Sequence, residues 1–102
     1  MNMGLFRKKT KVADFYSAQE IQSLRDDVTP LITARLIDFN ARMHYQSFIN
    51  MADDGSKALN RDDVSHLFTA AEGFAKADPS YAAALQNGIE KMKAWLDDPS
   101  NH

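Results

Sequence analysis

Asn60-Arg61-Asp62-Asp63-Val64-Ser65-His66-Leu67-Phe68-Thr69-Ala70-Ala71-Glu72-Gly73-Phe74-Ala75-Lys76-Ala77-Asp78-Pro79 carries a whole helix together with its start and stop signals. Asn60 is a strong N-cap residue, whose side-chain oxygen can accept from a free backbone N–H of the first turn. Leu59 before it and Val64 after it stand at the two positions of a hydrophobic staple. Asp62 and Asp63 place negative charge in the first turn, where it complements the helix dipole. Val64, Leu67, Phe68, Ala71, Phe74 and Ala75 then make one apolar stripe at helical spacing. Asp78-Pro79 ends this helix and opens the next, with Asp78 as cap and Pro79 in the first turn, where its missing N–H costs nothing.

Downstream, Tyr81, Leu85, Ile89, Met92, Trp95 and Leu96 fall within about a third of a helix circumference at roughly 100° per residue. Pro99 stops that helix. Upstream, Tyr16-Ser17-Ala18-Gln19-Glu20-Ile21 is a second full start signature. Ser17 can accept from the N–H of Glu20 while Glu20 reaches back to the N–H of Ser17, and Tyr16 and Ile21 form the staple. Ile21, Leu24 and Val28 continue on one face.

The middle of the chain is less orderly. Thr29-Pro30 admits two readings: Thr29 caps a new helix with Pro30 at its first position, or one long helix kinks at Pro30. In both, residues 31–51 lack Gly and Pro and read as helix, broken by Met51-Ala52-Asp53-Asp54-Gly55-Ser56. This segment carries two apolar stripes, Ile32, Leu36, Phe39 and Met43 on one and Ile37, Ala41, Tyr45 and Phe48 on the other. Arg35, Asp38 and Arg42 separate them on one side, and Asn40, His44 and Ser47 on the other. A helix apolar on two faces belongs at the centre of a bundle, or lends one face to a partner. No stretch alternates with a period of two. The expectation is an all-α fold, a three- to four-helix antiparallel bundle or paired helical hairpins, with the 31–51 helix at its centre. The expected organisation is a basic N-terminal arm over 1–14, one helical domain over 15–98 and a short tail over 99–102.

Composition suits one globular core: 102 residues, 44% hydrophobic and 25% charged. The lack of cysteine removes disulfides, thiolate metal sites and cysteine nucleophiles. No apolar run reaches the length of a membrane span or a signal-peptide core, so the cytoplasm is the expected location. The net charge of −2 conceals an asymmetry: residues 1–11 carry +4 from Arg7, Lys8, Lys9 and Lys11, and the other 91 sum to −6.

Arg25–Ala34 and Arg61–Ala70 agree at seven of ten positions at an offset of 36. That offset lies in the range of helical-hairpin repeats, although the match stops at the window's edges and stacking asks for more units.

Motifs for chemistry are sparse. Asp53, Asp54, Ser56, Asn60 and Asp63 invite comparison with a calcium loop, but the register puts Ala52 at the first ligand position and Lys57 where glycine is needed. Asp26, Asp27, Asp62 and Asp63 are adjacent pairs, and neighbours on a helix point about 100° apart, so neither pair aims at one ion. His44, His66 and His102 are scattered, and Asp62 with His66 supplies only two ligands. There is no glycine-rich phosphate loop, nucleophile elbow or His-Glu-x-x-His pair. These residues therefore predict no catalytic, cofactor or metal site.

The function expected is a small non-enzymatic protein–protein interaction module. Phe39, Met43, Tyr45 and Phe48 are the candidate contact residues, in a homodimer or with another protein, because aromatics and Met are enriched at interface cores. The alternative is a nucleic-acid or anionic-membrane binder acting through Arg7, Lys8, Lys9 and Lys11.

Overall fold

A computed structural model of the chain describes residues 9–101. Four helices make the body: α1 (Ala18–Thr33), α2 (Phe39–Ala52), α3 (Arg61–Ala77) and α4 (Ala82–Asp97). Short 3-10 turns occupy Val12–Asp14, Pro79–Tyr81 and Pro99–Asn101, and there is no strand among the described residues. The fold is the all-α bundle that the apolar periodicity predicts.

The start signatures are realised as written. Ser17 Oγ accepts from the N–H of Glu20 at 3.0 Å, and Glu20 Oε1 accepts from the N–H of Ser17 at 2.8 Å. Asn60 Oδ1 accepts from Asp63 at 2.8 Å, and Asp63 returns the bond to the N–H of Asn60 at 3.0 Å. The residues at the staple positions, Tyr16, Ile21, Leu59 and Val64, are all buried. Ser17→Ala and Asn60→Ala are each expected to cost about 0.5–2 kcal/mol in a denaturant melt. No change for either would mean that the cap bonds do not persist in solution.

The centre of the bundle is α3, not the 31–51 segment. Val64, Leu67, Ala71 and Phe74 are wholly buried, with α2 packed along one side of the helix and α4 along the other. At its start, Arg61 donates from Nη1 to the carbonyl of Leu96 at 2.9 Å, one of the α4 C-terminal carbonyls that lack an intrahelical partner. α1 leans on the body through Ile21, Leu24 and Val28. Arg25 of α1 pairs with Asp53, the residue that closes α2. A carboxylate at a helix C-terminus opposes the dipole, and the guanidinium offsets that charge.

The 31–51 helix is corrected outright. α1 runs through Pro30 and ends one turn later, and α2 begins only at Phe39. Pro30 is tolerated because it sits exposed in the last turns, where it removes a single bond. The stop is a Schellman motif: the N–H of Leu36 donates to the carbonyl of Leu31 at 2.8 Å, and that of Arg35 to Ile32 at 3.1 Å. Arg35 takes the left-handed position at φ 57°, which glycine usually fills. Asp38 then caps α2, its Oδ2 accepting from Asn40 at 2.9 Å and Ala41 at 3.4 Å.

The packed body also starts earlier than residue 15. Val12, Phe15 and Tyr16 are buried. The carbonyl of Thr10 accepts from Leu59 at 2.7 Å, and its hydroxyl from Trp95 Nε1 at 3.2 Å. The boundary drawn at residue 14 therefore falls inside packed structure. The similar decapeptides do not occupy equivalent places either: Arg25 lies midway along α1 and Arg61 is the first residue of α3.

Candidate interaction surface

The two stripes of the 31–51 segment meet opposite fates. Ala41, Tyr45 and Phe48 are buried, Tyr45 with its ring 5.4 Å from Phe74 and Phe48 with its ring 5.2 Å from Tyr16. As core residues they are not available to a partner, which removes Tyr45 and Phe48 from the candidate contact set. Leu36, Phe39 and Met43 stay outside, at 74%, 71% and 51% exposure, and are the large hydrophobics most exposed among the described residues. Phe39 and Met43 stand one turn apart on the same face of α2. Leu36 precedes them in the corner that joins α1 to α2.

Beside them Ile32, Arg35, Ile37, Phe39 and Arg42 line a concavity of about 440 Å³. Ile32 and Ile37 are half-buried and form its apolar floor. Neither the Arg35 nor the Arg42 guanidinium has a hydrogen-bond or ion-pair partner among the described residues. α2 itself carries no acidic residue, and Asp38 is turned towards the start of that helix as its cap. The corner is thus apolar and positive on a body whose charge is otherwise negative.

Arg35 is held at a conformational cost, since a side chain in the left-handed region crowds its own carbonyl. Arg35→Gly is expected to raise stability by about 0.5–1 kcal/mol, after glycine's larger unfolded-state entropy is set against the relief. Thermal or urea melts check this, and a loss of stability would mean the guanidinium itself holds the corner together.

Among the further grooves of the described residues are two between helices. One of about 340 Å³ runs between α1 and the start of α4, past Tyr16, Glu20, Leu24, Asp27, Tyr81 and Leu85. Its polar groups are partly engaged: Tyr16 donates to the carbonyl of Leu85 at 2.8 Å, and Glu20 closes the α1 cap. The other, about 410 Å³ between α2 and α3, brings His44 and His66 together with Ser47 and Asn50. His44 seats its ring on Gly73, where an added Cβ would lie 2.5 Å from Nδ1. Their separation in sequence concealed that the two histidines line one groove. Among the described residues no three His, Asp or Glu side chains gather where they could hold a metal ion. The polar loop over Asp53–Ser56 is an Asx turn, in which Asp54 accepts from the Ser56 hydroxyl at 2.6 Å and its N–H at 3.1 Å. Those bonds hold the Asp54 carboxyl below the usual carboxylate range.

Burial raises the tyrosines. Tyr16 lies well above its ordinary value because its hydroxyl is desolvated, with Glu20 adding repulsion. Tyr45 and Tyr81 move the same way, chiefly by desolvation. Unfolding returns these hydroxyls to about 10. Above that pH the unfolded chain binds fewer protons than the native one, so stability is full below about pH 10 and falls as pH rises past it. Tyrosinate absorbance from Tyr16 should therefore appear together with loss of helical circular dichroism. Ionisation of all three tyrosines in a chain that stays helical would contradict this.

Of the basic arm, Arg7 and Lys8 lie outside the described residues. Lys9 is exposed and Lys11 half-buried, with its N–H donated to Asp14 at 2.9 Å. Among the described residues no helix is long and apolar enough to cross a membrane. Compared with protein-family models, curated proteins and solved structures, the chain matches none of them.

Proposed function

We propose that this chain is a protein–protein interaction module whose contact surface is the α1–α2 corner. The observation that carries the reading is the collection of Leu36, Phe39 and Met43 outside the core, while the other large apolar residues of the helices are drawn inward. Single exposed hydrophobics are ordinary, but a group of three beside an apolar-floored concavity is the usual mark of a contact site. Phe and Met are also among the residues enriched at interface centres.

The test is site-specific photo-crosslinking in cells that make the protein. A photoreactive residue at position 39 or 43 is expected to give a discrete crosslinked species, while one at Gln86, exposed on α4, gives none. The same crosslinks from all three positions, or none from 39 and 43, would overturn the reading.

The reading through Arg7, Lys8, Lys9 and Lys11 rests on charge alone. Thr10 is fixed beside Leu59 and Trp95, at the α2–α3 junction and the end of α4. The apolar corner lies at the other end of α2, about 20 Å away for 14 residues at 1.5 Å each. Thr10, and with it the described basic residues Lys9 and Lys11, therefore stands away from the corner, and one weak signal gives only marginal anchoring.

A further inference from the structure

We infer that the partner of the α1–α2 corner is an acidic, apolar segment of another protein: a short stretch that sets carboxylates around one or two large hydrophobic side chains. This rests on the interaction reading above and specifies the chemistry of its partner. The concavity supplies the apolar contact through Ile32, Ile37 and Phe39, and its two charged lining residues are Arg35 and Arg42. Both guanidiniums are exposed and unpaired among the described residues. A guanidinium offers a fork of donors that matches a carboxylate in a bidentate pair.

Arg35 gives an independent argument. The corner closes with a left-handed residue, a position that glycine fills at no steric cost, yet an arginine stands there at φ 57°. Residues held in sparsely populated backbone conformations concentrate at ligand clamps, where the strain is tolerated for the side chain it positions. Here that side chain is one of the two cations of the concavity.

The same charges argue against a second copy. A twofold dimer sets a patch against itself. Two corners pressed together would oppose two pairs of arginines against only one carboxylate each, Asp38, whose Oδ2 faces the start of α2. Like charges facing across an interface suppress association, whereas a carboxylate-bearing segment removes the repulsion and adds complementarity.

The experiment is selection of a random-peptide display library on the immobilised chain, with counter-selection on Phe39→Ser. Recovered peptides are remade, and their affinities measured against wild type, Arg42→Gln, Arg42→Glu and Phe39→Ser. Circular dichroism first checks that each variant is folded, as expected for exposed positions. The expected result is enrichment of peptides combining Asp or Glu with Leu or aromatic residues. Binding should weaken roughly tenfold or more in Arg42→Glu, less in Arg42→Gln, and fall with added salt. Phe39-dependent peptides without acids, indifferent to Arg42, would overturn the acidic partner and leave the interaction surface standing. No Phe39-dependent peptide, together with a Phe39-dependent dimer in light scattering, would replace the acidic segment by a second copy. No such peptide and a Phe39-dependent sedimentation with phosphatidylserine vesicles would overturn both readings in favour of a membrane contact. No Phe39-dependent binding of any kind would also overturn both.

Discussion

Tyr16→Ala is expected to destabilise the chain by about 3–5 kcal/mol, the range for removing a buried aromatic side chain. The residue precedes the first helix and is only 2% exposed. Its ring meets Phe48 edge-on at 5.2 Å, and its hydroxyl donates to the carbonyl of Leu85 at 2.8 Å. It also lies directly on Gly88, where an added Cβ would come within 2.1 Å of Cζ. The ring thus links the segment before α1, the middle of α2 and the middle of α4. Two companion variants divide the effect. Tyr16→Phe loses only the hydrogen bond and should cost about 0.5–1.5 kcal/mol. Gly88→Ala improves helix propensity by up to about 1 kcal/mol, yet should destabilise by about 1–3 kcal/mol, because the ring is pinned by its hydroxyl and cannot move aside. Urea melts of the three variants check the account. A stabilising Gly88→Ala would mean that the ring does not occupy this place.

Phe74→Ala should cost a similar 3–5 kcal/mol, through lost burial and the cavity left behind. Phe74 has no exposed surface and lies between two tyrosines, with Tyr81 stacked at 5.2 Å and Tyr45 tilted at 5.4 Å. Each such ring pair contributes roughly 0.5–1.5 kcal/mol beyond its area. The residue sits on α3 and gathers rings from α2 and from the turn before α4, so its loss loosens both sides of the central helix. A change below about 1 kcal/mol would place the bundle's centre elsewhere.

Much of this fold was legible in the chain because its helix starts are local events. Ser17 with Glu20, and Asn60 with Asp63, are decided by residues three apart, and the stripes of α3 and α4 need only the helical period. What escaped the sequence was the end of α1. Stop signals are sought in Gly and Pro, whereas here Arg35 takes the left-handed position itself and Pro30 sits inside the helix. The segment therefore read as one continuous helix, and Asp38 passed as a polar-row residue rather than a cap. That error also hid α3 as the central element. The burial of Val12 was missed for a different reason: it follows a basic stretch, and no apolar period runs through it.

The candidate surface was half legible. Periodicity separated Phe39 and Met43 from Tyr45 and Phe48, but the side facing the core is a tertiary property that a lone helix pattern does not carry. Arg35 and Arg42 stood in the sequence as part of a polar row between two stripes, and only the corner geometry brings them to one concavity with Ile32 and Ile37.

The central claim is that Leu36, Phe39 and Met43 are left over by folding and are free for a partner. An equilibrium urea melt of the triple variant Leu36→Ser, Phe39→Ser, Met43→Ser tests it most directly. The account predicts an intact helical spectrum, an unchanged slope, and a stability within about 0.5 kcal/mol per site of wild type, as for surface substitutions. A loss of several kcal/mol, of the kind that about 2–5 kcal/mol per buried Leu or Met would produce, would make these residues part of the core and remove the proposed surface.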